Sequence, residues 1–157
     1  KAETNKGAAD FSHLLDAPAG KHGFVRVKDG HFYFEDGTRI RFLGFNMAAR
    51  SNTPNHETAE KLAARFASMG VNVIRLHAAD APIGEEPCTW SSCKEAPLLD
   101  YERGNSLEFN KAGLDRFDYF VAKLKEKGIY LHIDLLVARA FNKEDGIEFL
   151  YKMLSDD

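Results

Sequence analysis

The segment Gly70-Val71-Asn72-Val73-Ile74-Arg75-Leu76-His77 limits what this chain can fold into more than any other. A helical period ends at Gly70, and the β-branched run that follows finishes in an arginine and a histidine. Strand alternation sets Val71, Val73, Arg75 and His77 on one face and Asn72, Ile74 and Leu76 on the other. Both faces are mostly apolar, which predicts a parallel strand buried on both sides. In parallel α/β sheets chemistry gathers at the carboxyl ends of the strands. Arg75 and His77 lie at that end and are the first candidates for a functional site.

The residues before this strand supply its partners. Thr53 to Met69 reads as a helix, with Thr53 as cap, Pro54 at the first helical position and Gly70 as terminator. Its apolar stripe is Ala59, Leu62, Ala63, Phe66 and Met69, a core face rather than a ligand surface. Further upstream, Asp29-Gly30 and Asp36-Gly37 separate short alternating runs. Asp-Gly between such runs favours tight hairpins, because type I′ turns require positive φ at both central positions. Residues 23–42 are therefore expected to form a small antiparallel meander, with His31 in a surface role beside its first turn. The third run continues through Gly44 to Asn46, which places Gly44 and Asn46 on the face of Ile40 and Phe42. A glycine within a strand marks a close approach of backbone or ligand, and Asn46 lies at the strand exit. Residues 1–22 are read as an N-terminal arm, and residues 23–157 as one partial α/β domain.

Downstream, Ala78 to Phe109 is a connection of roughly thirty residues, against the ~2–6 usual in α/β units. It carries Asp80, Cys88, Trp90 and Cys93. Trp90 could stack on a sugar ring or anchor the loop by packing inward, and the sequence leaves both open. Cys88 and Cys93 could be unrelated thiols or a short disulfide, which would imply an oxidising compartment. A zinc site is disfavoured, because no second ligand pair has suitable spacing. Asn110 caps a helix running to Lys127, with Leu114, Phe117, Phe120, Val121 and Leu124 facing inward. Ile129 to Val137 reads as a further buried strand, on which His132 and Asp134 share a face with Tyr130 and Leu136. Asn142 can cap a last helix with Ile147, Leu150, Tyr151 and Leu154 inward.

Three strands thus bring polar groups to their exits: Asn46, then Arg75 and His77, then Asp134 with His132. The alternative to a site is a self-satisfied polar layer. A net charge of -3 and a pI near 6.1 give no reason to expect nucleic acid or an anionic membrane as partner. No apolar run approaches the ~20 residues of a membrane span. The chain has no glycine-rich phosphate loop, nucleophile elbow or zincin motif. It begins at Lys1 without a methionine or a signal peptide, so a processed or shortened protein is expected.

The combination Phe34-Glu35-Asp36-Gly37-Thr38, Arg41-Phe42-Leu43-Gly44-Phe45-Asn46, Gly70 to His77 and Gly128 to Leu135 resembles the N-terminal part of a TIM-barrel glycoside hydrolase. The similarity is to cellulase-like, family 5-type retaining enzymes and covers about Gly23 to Phe141. It implies three βα units of a (β/α)8 barrel preceded by the meander, no cofactor or metal, a poly- or oligosaccharide substrate, and secretion or export to a periplasm. Arg75 then matches the arginine that supports the nucleophilic carboxylate, and Asn46 and His77 lie near the substrate. Asp80, Trp90 and Asp134 are further substrate-binding candidates. The family's third-strand histidine follows the aliphatic run, whereas His132 precedes it.

Such a barrel needs eight βα units in ~200–250 residues. In the family the acid/base glutamate follows the fourth strand and the nucleophile follows the seventh, so neither is expected here. The reading is therefore a fragment of a longer glycosidase, inactive alone and able to self-associate through an open sheet edge. A non-catalytic carbohydrate-binding or scaffold module on a partial barrel is the rival, and a complete small α/β domain with an unrelated ligand is a third.

Overall fold

The computed structural model describes residues 7, 9–81, 97–102, 104–139, 141 and 143–147. Cys88, Trp90 and Cys93 lie outside these residues, as does most of the helix expected after Asn142. Within them, that region shows a 3-10 turn over Lys143–Asp145.

Two sheets organise the fold. The first is an antiparallel meander of β1 (Val25–Lys28), β2 (His31–Phe34) and β3 (Arg39–Ile40). At its first turn Asp29 and Gly30 have φ of 49° and 73°, the two positive values a type I′ turn needs. The second Asp-Gly behaves differently. Only Gly37 is left-handed there, at φ 86°, and Asp36 Oδ1 instead accepts the Thr38 N–H at 2.9 Å. The extra residue in that loop makes an Asx turn more favourable than a second primed turn.

The second sheet is parallel, with β4 (Gly44–Ala48), β5 (Val73–His77) and β6 (Tyr130–Ile133) in that order. Helix α1 (His56–Ser68) connects β4 to β5, and α2 (Lys111–Glu126) lies between β5 and β6. Both helices pack on one sheet face. The core there joins Ala59, Ala63 and Ala67 of α1 to Phe120 and Leu124 of α2 over Ile74 and Leu76. The small residues of α1 let it approach closely, and Phe120 fills the space that remains.

Several local expectations change. The α1 cap is Asn55, not Thr53: Asn55 Oδ1 accepts the Thr58 N–H at 2.8 Å. Asparagine outranks threonine at this position, and Pro54 falls just outside the helix. Met69 is 38% exposed, and Ala67 takes its place in the core. The run Ile40 to Asn46 is not one strand, because it breaks at residues 41–43 between the two sheets. The Asn72 side chain spans the break, accepting from Leu43 N–H and donating to Arg41 O, both at 2.8 Å. β5 begins at Val73, so Val71 does not follow the alternation and is buried in the helix-side core. Arg75 is exposed, and the face it occupies is open rather than buried. β6 likewise stops at Ile133. Leu135 is 85% exposed, because the backbone beyond β6 bends instead of extending.

Gly44 explains its own position. A Cβ there would stand 2.6 Å from Val73 Cγ1 and 2.7 Å from Val73 O. Only glycine lets β4 lie in this register beside β5.

The residues before the meander lie against the helix ends. Phe11 N–H donates to Ser68 O and Ala19 N–H to Lys125 O, both at 2.9 Å. His22 joins this segment to the meander: its two ring nitrogens meet the carboxylates of Asp16 and Asp36, and the ring stacks on Phe34. The meander in turn closes the amino-terminal end of the parallel sheet. Phe34 and Phe42 pack on Tyr130 with ring centroids 5.4 and 5.9 Å apart.

Candidate active site

The register of the parallel sheet decides which polar residues meet. Asn46 pairs with Arg75 and Arg75 with His132, while His77 pairs with Ala48 one step further on. Asn46, Arg75, His77 and His132 therefore share the face opposite the helices, at the carboxyl end of the strands.

Asp134, the residue after β6, gathers two of them. Arg75 Nη2 donates to Asp134 Oδ2 at 2.6 Å and Arg75 Nε to Oδ1 at 3.2 Å, a two-point fork. His77 Nδ1 lies 2.7 Å from Asp134 Oδ2. His132 Nε2 stands 3.8 Å from Oδ1, beyond hydrogen-bond range. The Asp134 side chain is 11% exposed, against 45% for Arg75 and 34% for His77. Solvent therefore meets the cation and the imidazole, with the carboxylate set behind them. The His77 hydrogen bond, followed by that of Arg75, holds the Asp134 carboxyl below its ordinary value.

The strand exits are themselves constrained. β4 leaves through Ala49 at φ 49° and β5 through Ala78 at φ 51°. Left-handed non-glycine residues cost about 1–2 kcal/mol and persist where surrounding contacts impose them. Beside the first exit, Asn52 is buried and its Nδ2 donates to His77 O at 2.8 Å, fixing the end of β5.

Asp80 has a different environment from that of Arg75 and His77. It is buried, and its carboxylate accepts three successive backbone N–H groups: Val137 at 2.9 Å, Ala138 at 3.1 Å and Arg139 at 3.2 Å. The Tyr101 hydroxyl donates to Asp80 O at 2.6 Å. The same segment is tied again where Arg139 Nε donates to Ser106 Oγ at 2.7 Å and Ser106 Oγ to Asp145 Oδ1 at 2.8 Å. Asp80 thus joins the loop after β5 to the loop after β6. Sequence reasoning missed the positioning roles of Asn52, Asn72 and Ser106. For Asn72 the signal was a polar residue at the start of an otherwise apolar run.

Among the described residues no cluster of three or more histidine, cysteine, aspartate or glutamate side chains is arranged to hold a metal ion. None of the helices there is long and apolar enough to cross a membrane.

No family model matches the sequence, and no curated protein does. Solved structures do match the fold. A glycoside hydrolase family 5 protein from Bacteroides vulgatus aligns over 76% of this chain with a TM-score of 0.52 at 15% identity. A second structure, described as a glycoside hydrolase, aligns over 76% with a TM-score of 0.51 at 18% identity. The fold of this chain is therefore similar to part of the fold of these two glycoside hydrolases. This chain spans 25% and 26% of the length of those two proteins.

Proposed function

We propose that this chain forms the first part of a secreted or periplasmic glycoside hydrolase barrel that cleaves O-glycosyl bonds in a polysaccharide. The observation that carries the reading is the Arg75–Asp134–His77 cluster at the strand exits, on the sheet face that helices leave free. The likeness of the fold to glycoside hydrolases supports it. Arg75, through the N–H donors that Asp134 leaves free, hydrogen-bonds a carboxylate built into the barrel by a later strand, and Asn46 and His77 supply hydrogen bonds to sugar hydroxyls. Retaining hydrolysis needs two carboxylates ~5–5.5 Å apart. Asp134 is engaged by Arg75 and His77, and Asp80 by backbone N–H groups, so neither is assigned to that pair.

The test is hydrolysis of a panel of aryl β-glycosides by the 157-residue chain and by the longest natural polypeptide that contains it. Turnover only in the longer protein, lowered about 10²-fold or more in kcat by Arg75→Ala, supports the reading. Turnover by the short chain that is lost in Asp134→Asn would assign the reacting carboxylate to this chain instead. The engagement of Asp134 also favours a second reading, a non-catalytic carbohydrate-binding module. That reading requires oligosaccharide binding by calorimetry with no turnover in either protein.

A further inference from the structure

We propose that Asp134 is a positioning residue that holds His77 as the Nδ1–H tautomer and neutralises Arg75, so that the strand-exit site selects uncharged hydroxyl-bearing ligands over anions. This inference deepens the glycosidase reading and rests on it only for the choice of sugar as ligand.

The argument begins with hydrogen-bond valence. An ionised carboxylate can only accept, so the ring nitrogen 2.7 Å from Asp134 Oδ2 must carry the proton. When His77 is neutral, Nε2 is then a lone-pair acceptor. His132 does not compete, since its Nε2 lies 3.8 Å from the other Asp134 oxygen. Arg75 has five N–H donors and gives Nε–H and one Nη2–H to Asp134, which leaves the rest of the guanidinium to a ligand. The pair of exposed groups therefore offers one acceptor and several donors.

A hydroxyl satisfies both, because it can donate to His77 Nε2 while accepting from Arg75. A carboxylate or a fully ionised phosphate ester can only accept, and would leave Nε2 without a donor from its charged group. Charge acts in the same direction: Asp134 offsets the unit charge of Arg75, and the imidazole adds none in its neutral form. An anion approaching Arg75 also meets the field of Asp134 directly behind it. The site is thus matched to neutral sugars and matched poorly to sugar acids or phosphorylated sugars.

The experiment uses the 157-residue chain with long-range proton–nitrogen NMR of the imidazoles at pH 8.5, about two units above the ordinary histidine value. The wild type is expected to show His77 as Nδ1–H, and a wild-type Nε2–H tautomer overturns the proposal without any variant. Arg75→Met should keep Nδ1–H, whereas Asp134→Asn should lose its exclusive population. An unchanged tautomer in Asp134→Asn overturns the positioning role. In the second arm inorganic phosphate is titrated against the His77 signals. Asp134→Asn should bind phosphate at least about fivefold more tightly than wild type, the effect of one pair of unit charges at roughly 4 Å in bulk-water dielectric, and more for the dianion. Equal phosphate affinity overturns the selectivity claim. If Asp134→Asn does not fold, judged from its backbone amide spectrum, the wild-type tautomer and Arg75→Met still decide the first claim, and Asp134→Glu is titrated with phosphate in its place. Because Asp134→Glu keeps the negative charge behind Arg75, it should bind phosphate no more tightly than wild type, and tighter binding overturns the selectivity claim. These outcomes do not depend on turnover, so absence of glycosidase activity would count against the proposed function and leave this inference standing.

Discussion

Asp80 offers the sharpest test of how the strand-exit loops are held. Its carboxylate accepts from Val137, Ala138 and Arg139, three consecutive backbone donors just past β6. Asp80→Ala removes all three acceptor contacts. A hydrogen bond to a charged group contributes about 1.5–3 kcal/mol, but that range assumes the orphaned partner stays dry. Here Val137 is exposed, so water can reach part of the freed segment. The contribution then falls to about 1 kcal/mol per bond, or ~3 kcal/mol in total. Asp80→Asn can keep the two contacts now made by Oδ2 but turns an amide donor toward Ala138 N–H, and should cost about 1–2 kcal/mol.

Urea unfolding of the 157-residue chain, followed by circular dichroism, measures this directly. With m of about 1–3 kcal/mol/M, the alanine variant should shift the midpoint by roughly 1–3 M while m stays constant. A loss below ~0.5 kcal/mol would refute the latch. If stability were preserved while oligosaccharide binding disappeared, Asp80 would instead be the substrate ligand expected from the sequence.

Other consequences follow from the same geometry. Gly44→Ala should destabilise by about 2–3 kcal/mol, as overpacking does. Adding Val73→Ala should recover only part of that in the same urea assay, because the Val73 carbonyl 2.7 Å away remains. His22 is raised from its ordinary 6.5 by the hydrogen bonds its ring donates to Asp16 and then Asp36. Its stabilising contribution is therefore complete below pH ~6.5 and lost as pH rises through the raised value. Thermal midpoints should decline over that interval, and His22→Gln should flatten the decline. Cys88 and Cys93 are proposed to form a disulfide, and intact-mass measurement with and without reductant should show a two-proton difference. Among the described residues neither β4 nor β6 has a strand on its outer edge, and light scattering of the 157-residue chain should show association that grows with concentration.

Much of the fold was legible because its signals are local. Asn110 caps α2 as its sequence suggests, with Oδ1 accepting Gly113 N–H at 3.0 Å. Asp29-Gly30 makes its turn as expected. What was not legible depends on partners distant in sequence. Leu135, Leu136 and Val137 continue an apolar run that reads as strand, yet Asp80, more than fifty residues away, draws the backbone off that course. Residues 40–46 read as one strand because nothing local reveals that Asn72 bonds both sides of a break. For the site, alternation placed Arg75 and His77 together, but it could not assign their shared partner. Asp134, already a candidate from the sequence, became identifiable as that partner only once the register between β5 and β6 was fixed.

The two faces of the parallel sheet constrain what else can pack on them. On the helix side Ile74 and Leu76 are fully buried, while their register partners Phe45 and Ile133 on the outer strands stay 46% and 42% exposed. On the other side polarity changes along the strands. Tyr130 lies under Phe34 and Phe42 at the amino-terminal end, while Arg75, His77 and His132 occupy the carboxyl end. A uniform apolar layer laid over this face would bury the guanidinium of Arg75 away from water, and Asp134 alone would then have to offset its desolvation. The meander adds a second condition. Its apolar face extends past Tyr130, leaving the register pair Val27 and Phe32 71% and 47% exposed. Any structure that covers this face must therefore be apolar over the meander and polar over the strand exits. Further parallel strands whose inward side chains grade the same way meet both conditions, and they would enclose Arg75 and His77 at the mouth of a polar pocket rather than in a core.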